Sequence, residues 1–361
     1  MPDLLSIEVK LDEEAFMRNL RREGTPARVH HMELYLDSEV SQEVATRFRL
    51  WDDIDPNKPY ADWDREIALK RFLGYDYVTC GLDGYDWPLY HDVVDDTAEN
   101  KRASGRHFVN LHAGPITNWE QFEKYPWPDP DRCATESLEY LEKNLPDDMC
   151  VIGGLTAHFA ELLSWLMGYE TLCYALYDQR DLVTAIRDRL ESLECRYVER
   201  VLQFDRVKAI WGSDDMGFRT GTLISPEDMR EFVLRGHRKV AKQTHDAGRI
   251  YLLHSCGKLD AIWPDLLDDV KVDAKHSFED IIESVIDHKR RTGDRMSLIG
   301  GVDMDLMCRG DEKTIRARVR EILDACMPGG GYCLGTGNSV ANYIPLDNYL
   351  IMLDEGRKYS A

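Results

Sequence analysis

Short apolar runs alternate along the chain with longer stretches in which apolar residues return every three to four positions. The short runs predict eight strands: Ala27–Glu33, Tyr75–Cys80, Cys150–Leu155, Lys208–Ser213, Arg249–His254, Lys271–His276, Met296–Val302 and Gly331–Leu334. The longer pattern predicts helices at Leu182–Phe204, Pro226–Ala247, Thr314–Met327 and Leu346–Tyr359. End signals sharpen these. Ser225 is placed to cap, Pro226 suits the first helical position, and Gly248 stops the same helix. Asp181 is the expected cap of the helix that follows it, Pro328-Gly329-Gly330-Gly331 ends the third, and Pro345 opens the last.

Strands separated by helices pair in parallel through crossovers. Eight such units predict an α/β chain closed into a (β/α)8 TIM barrel, one domain over 1–361. The rival is an open doubly wound sheet, but no Gly-x-Gly-x-x-Gly follows an early strand. Residues 34–75 read as an N-terminal elaboration. Residues 81–149 exceed an ordinary connection and read as a lid-like insertion.

Composition narrows the setting. Of 361 residues, 43% are hydrophobic and 31% charged, which is enough for a sizeable core and a soluble surface. No apolar run is long enough for a membrane span, and the acidic start is unlike a secretory leader. The net charge of -21 argues against a nucleic-acid partner. Nine scattered cysteines, an odd number, do not form a disulfide framework and suit a reducing cytoplasm, the expected location.

In a barrel of this kind chemistry collects at the C-terminal strand ends. Those ends offer His30, His31 and Glu33, then Cys80, His158, Asp214 and Asp215, His254 and Cys256, Lys275 and His276, Asp303, and Cys333 followed by Asn338. His254 and Cys256 are two apart, so in extended chain they face one side. A soft nitrogen and a soft sulfur there suit zinc, and Gly257 frees the backbone to turn away. Strands five and eight face each other across a closed barrel, which makes Cys333 the expected third metal ligand. Asp214, Asp215 and His276 are the expected catalytic residues, through proton transfer or by holding a donor. Glu161 is a candidate fourth ligand, with water or substrate as the alternatives. His30 and His31 point to opposite sides of their strand, so at most one faces the interior.

Several segments carry a resemblance: PARVHHMELYLD (26–37), WGSDDMGFRTGTLISPEDMREFV (211–233), LLHSCGKLDAIWPDLLD (252–268), SLIGGVDM (297–304) and GGYCLGTGNSVANYIPLDNYLIMLDEGRKY (330–359). In them the chain resembles the uroporphyrinogen decarboxylase superfamily, and within it the zinc-dependent, corrinoid-linked methyltransferases of the O-demethylase type. The resemblance implies a (β/α)8 barrel with zinc on His254, Cys256 and Cys333. The true decarboxylases carry an early arginine-rich block that grips porphyrin carboxylates, whereas His31-Met32-Glu33-Leu34-Tyr35 stands here. The implied reaction moves a methyl group from a small methylated donor, such as a methoxylated aromatic, to cob(I)alamin. No Asp-x-His-x-x-Gly segment occurs, so the cobalamin is expected on a separate corrinoid-binding protein. Trp51, Tyr60, Trp63, Tyr85, Trp87 and Tyr90 are expected to frame the donor. The alternatives are transfer in reverse, from methylcobamide to a thiol, and decarboxylation of a small acid. The resemblance also allows a homodimer.

Overall fold

A computed structural model describes residues 4–360. Seven strands form one parallel sheet whose spatial order equals their chain order. They are β1 (Tyr77–Cys80), β2 (Cys150–Thr156), β3 (Val207–Ser213), β4 (Ile250–His254), β5 (Ala274–His276), β6 (Ser297–Ile299) and β7 (Tyr332–Cys333). The sheet curls into a TIM-barrel-like α/β fold.

The eighth position is built differently from the expected strand at Ala27–Glu33. This segment makes a single parallel bridge, His31 to Leu334, flanked by Met32 N–H to the Leu334 carbonyl at 2.9 Å and Leu334 N–H to the His30 carbonyl at 2.8 Å. On its other side no ladder joins it to β1 among the described residues. Side chains close that seam. The Tyr77 hydroxyl donates to the Glu33 carbonyl at 2.8 Å and accepts from the Glu33 N–H at 3.1 Å. His30 Nδ1 meets Asp76 Oδ2 at 2.8 Å. Both histidines are buried, one on each face of the segment.

The N-terminal end of the barrel is plugged by the helix Glu13–Leu20, capped by the Asp12 side chain. Phe16 stacks on Tyr77 at 5.7 Å, and Asn19 Nδ2 donates to the Tyr332 carbonyl at 2.8 Å. Trp211, Tyr251, Tyr332 and Tyr349 are among the fully buried side chains of the core. A plugged base leaves the other end of the barrel for a site.

Helices cover the sheet at Arg180–Val201, Glu312–Cys326 and Leu346–Tyr359. A further helical run comprises Pro226–Met229, a π-helical turn Arg230–Leu234, and Arg235–Asp246. Ser225 does cap it, through Asp228 N–H, and Gly248 follows it at φ +71°. Asp181 is not a cap: Arg180–Val201 starts one residue before it, after Gln179. Residues 34–75 hold the helices Ser38–Phe48 and Ala61–Leu73. Residues 81–149 hold an antiparallel hairpin, His91–Val94 with Arg106–Val109, and the helices Trp119–Lys124 and Glu136–Asn144. Among the described residues no helix is long and apolar enough to cross a membrane.

Candidate metal centre at the strand ends

His254 is the last residue of β4 and lies in register with Ser213 of β3 and His276 of β5. Beyond it the chain leaves the sheet. Gly257 adopts φ +84°, and a Cβ there would fall 2.2 Å from the Gly217 carbonyl group. Only glycine permits that approach. Lys258 N–H then bonds the Phe218 carbonyl at 2.7 Å, which docks the loop on the hairpin Gly217–Phe218 with Gly221–Thr222. The loop after β3 is stitched to the same place. Cys256 N–H donates to Asp215 Oδ1 at 2.9 Å, and Met216 N–H donates to Ser255 Oγ at 3.1 Å.

This stitching gathers three ligand types. Ligand atoms of Asp215, His254 and Cys256 all lie within 4.8 Å of one another. His254 Nε2 is 3.6 Å from Cys256 Sγ and 3.3 Å from Asp215 Oδ1. His254 is buried, whereas the Asp215 side chain is 42% exposed, so the cluster opens to solvent on one side. Nitrogen, thiol sulfur and carboxylate oxygen around one point, with an open face, fit zinc with an exchangeable position.

The electrostatics agree with that fit. Burial, with the nearby Asp215 charge, pushes the Cys256 thiol up to about 12, so without a cation it stays protonated. A divalent ion supplies the counter-charge that favours deprotonation. Burial also works against ionisation of Asp215, but His254 and the Cys256 N–H outweigh it and hold its carboxyl far below the usual range.

Three further groups complete the surroundings: Lys275 and Asn338, both at strand ends in the sequence, and Ser277, which no sequence signal marked. Asn338 Nδ2 donates to Cys256 Sγ at 3.2 Å, and Ser277 Oγ lies 3.5 Å from the same sulfur. Lys275 is buried, with its Nζ bonded to the carbonyls of Ser255, at 3.0 Å, and Ser277. Burial lowers this ammonium to about 8. It ties the ends of β4 and β5 together under the cluster.

Other expected residues fall elsewhere. Cys333 is not brought to His254 and Cys256. It is fully buried on β7, paired with Ile299, and its Sγ accepts from Asn19 Nδ2 at 3.4 Å. Asn19 belongs to the plug helix, so this thiol points to the base of the barrel. Asp214 is an anchor. Its carboxylate accepts from Ala160 N–H at 2.8 Å and Glu161 N–H at 2.9 Å, and it meets His237 Nε2 at 2.8 Å. It thereby satisfies backbone donors that have no intrahelical partner at the start of the helix Phe159–Met167. His276 Nδ1 is 2.8 Å from His254 Nδ1, behind the ligand and away from the open face.

Glu161 pairs with His158 Nδ1 at 2.8 Å. Burial pushes its carboxyl up to about 7, with Asp214 and Asp215 adding to the rise against the opposing His158. Of the six aromatic residues expected to frame a donor, Tyr60, Tyr85 and Trp87 pack on other aromatic rings, and Tyr90 is exposed. Tyr85 lies 4.8 Å from Tyr197, Trp87 is edge-on to Trp127 at 6.2 Å, and Tyr60 stacks on Tyr140 at 4.6 Å. Trp51 Nε1 donates to the Arg65 carbonyl at 3.1 Å.

Comparison with known proteins gives a consistent grouping. Residues 109–359 match the family described as uroporphyrinogen decarboxylase (URO-D). A methylated-thiol–coenzyme M methyltransferase of Methanosarcina mazei is 29% identical over 153 residues, 41% of this chain and 39% of that protein. The match thus spans well under half of that relative. A uroporphyrinogen decarboxylase of Pseudoalteromonas atlantica is 22% identical over 254 residues, 68% of this chain and 70% of that one. Among solved structures, a methyltransferase from Methanosarcina mazei superposes with a TM-score of 0.67 at 17% identity, over 98% of this chain and 100% of that one. At that identity the likeness speaks for the fold.

Proposed function

Because this chain belongs to the uroporphyrinogen decarboxylase (URO-D) family, we propose that it is a zinc-dependent methyltransferase with Asp215, His254 and Cys256 as its metal ligands. The observation that carries this reading is the meeting of those three ligand types at one solvent-facing point. It replaces the ligand set expected from the sequence, with Asp215 in the place of Cys333. When bound, zinc supplies a Lewis acid for the heteroatom that carries the methyl group.

The chain's own residues then have definable tasks. Asn338 donates to the Cys256 sulfur and so spreads its charge once it is deprotonated. In methyl transfer the carbon–heteroatom bond breaks with its electron pair left on the heteroatom, and the acceptor supplies the pair for the new bond. The departing heteroatom then takes up a proton. Glu161, raised to about 7 and hydrogen-bonded to His158, holds such a proton near neutrality on the same side of the barrel.

The substrates are a small methylated compound, a methyl ether being the leading class, and cob(I)alamin presented by a separate corrinoid-binding protein. Transfer to or from sulfur is the second reading. The relative named for methylated thiols favours it. Decarboxylation of a polycarboxylate is disfavoured because His31-Met32-Glu33-Leu34-Tyr35 stands where the decarboxylases carry an arginine-rich block. The test is anaerobic loss of cob(I)alamin absorbance with a panel of methyl ethers, methylamines and methylated thiols. Turnover that disappears in Cys256→Ala and His254→Ala supports the proposal. Full turnover in zinc-free protein contradicts it.

A further inference from the structure

The base of the barrel, opposite the metal centre, gathers positive charge in a chain whose net charge is -21. A cleft of about 310 Å³ opens there between the plug helix Glu13–Leu20 and the entries of β3 and β4. Arg18, Arg21, Lys208 and Arg249 line it, against two carboxylates, Glu13 and Glu14. Arg18 and Arg21 come from the end of the helix, three apart and so on one face. The sheet supplies the other two. Ala209 is in register with Ile250, which sets Lys208 and Arg249 side by side one residue earlier. Like charges next to each other on neighbouring strands repel. Packing does not call for that pair, since both side chains are only half-buried.

These cations are short of partners. Among the described residues, neither Arg21 nor Lys208 has a carboxylate oxygen within 4.0 Å of its side-chain nitrogens. Arg18 reaches Glu14 only at 3.9 Å, and both side chains are more than half exposed, so that pair neutralises little. Arg249 is fixed through its Nε, which donates to the Val207 carbonyl at 2.6 Å, while a terminal nitrogen lies 3.9 Å from the exposed Asp205. A guanidinium held this way offers its remaining N–H groups in one plane, a fork that matches phosphate oxygens. Lys208 adds a point charge beside it, and Arg21 a second guanidinium from the helix side. A helix C-terminus favours basic residues, which is reason enough for Arg18 and Arg21 alone. It gives no reason for Lys208 and Arg249, which stand at strand entries.

We propose that this cleft is a second ligand site, in which Arg21, Lys208 and Arg249, with Arg18 at the rim, bind a compact phosphate-bearing molecule. Its volume lies at the small end of the range for small-molecule sites, about 300–1,000 Å³. Glu13 and Glu14 flank the cations and repel an extended polyanion, so the site suits a small anion and not a nucleic acid. A bound anion relieves the repulsion between Lys208 and Arg249. It also ties the plug helix to β3 and β4, the strands that lead at their far ends to Asp215, His254 and Cys256. The site is independent of the metal centre and of the proposed methyl transfer.

Isothermal titration calorimetry of the full-length protein with inorganic pyrophosphate, in magnesium-free buffer of low ionic strength, tests it. One site per chain is expected. Lys208→Met and Arg21→Gln should each weaken binding by about 10-fold or more, since each removes a charge-assisted contact. Glu13→Gln should tighten binding, a gain that misfolding does not produce. Without pyrophosphate, Lys208→Met and Arg21→Gln should melt no lower than the unchanged protein. Pyrophosphate should raise the melting temperature of the unchanged protein and move theirs much less. Cys256→Ala should bind pyrophosphate like the unchanged protein; loss of binding there places the anion at the metal centre and overturns the proposal. No binding, or equal binding by Lys208→Met, Arg21→Gln and the unchanged protein, also overturns it. Citrate binding more tightly than pyrophosphate overturns the phosphate assignment.

Discussion

Replacing Glu33 by Gln should change how stability depends on pH. The Glu33 carboxyl is fully buried and accepts from Thr336 N–H and meets Thr336 Oγ1. Burial raises it from 4.5 to about 8, with the Thr336 contacts and Lys70 offsetting part of the rise. A carboxyl whose folded value lies above its unfolded value binds more protons when folded. Its contribution to stability is therefore complete below pH 4.5 and is lost as pH rises to about 8. At roughly 1.4 kcal/mol per pH unit over that interval, the loss is on the order of 3–5 kcal/mol. Glutamine has the shape and hydrogen-bonding pattern of the neutral acid and does not titrate. Urea unfolding of both proteins across this range checks it. Their stabilities should be similar at the acid end and diverge toward pH 8, with Glu33→Gln the more stable. Parallel profiles would refute the placement of a neutral carboxyl inside the barrel.

Further predictions separate anchoring residues from ligands. Cys333→Ala should leave zinc stoichiometry unchanged and cost about 1 kcal/mol in stability from the lost Asn19 contact; loss of zinc would return Cys333 to the ligand set. Asp214→Ala strands two helix N–H groups and should cost about 3–5 kcal/mol, measured by urea unfolding. Asp215→Asn should instead weaken zinc binding, read by chelator competition, with only a small change in the unfolding midpoint. Gly212→Ala places a Cβ 2.1 Å from the Tyr251 hydroxyl, which holds His237 Nδ1 at 2.8 Å behind Asp214. Overpacking there should lower stability by roughly 1–3 kcal/mol, seen as a lower melting temperature.

Where the sequence was legible, local rules were enough. The His254-x-Cys256 pair was visible because residues two apart in extended chain share a side and Gly257 marks the exit. Alternation of strands and helices gave the parallel sheet, since crossovers leave few other arrangements. Cys333 was misplaced for a specific reason. Its strand continues past the two residues of regular pairing, through bridges at Leu334 and Thr336. The rim lies at Asn338, and Cys333 sits toward the base.

The roles of Asp214 and Asp215 depend on which backbone donors they meet, and adjacent identical residues carry no local signal for that. One bonds the helix start at Ala160 and Glu161, and the other bonds the Cys256 N–H. His276 was legible as a strand-end histidine, but only the three-dimensional pairing with His254 shows that it stands behind the ligand. The first strand failed as a regular strand because its seam with β1 is closed by the Tyr77 hydroxyl and by His30 with Asp76, contacts that no periodicity announces.

The most direct test of the metal assignment is zinc X-ray absorption on protein loaded in thiol-free buffer. The account predicts one sulfur at about 2.3 Å from the metal, with nitrogen and oxygen at about 2.0–2.2 Å, and loss of the sulfur shell in Cys256→Ala. A zinc shell without sulfur, or one with two sulfurs that falls to one in Cys333→Ala, would contradict it.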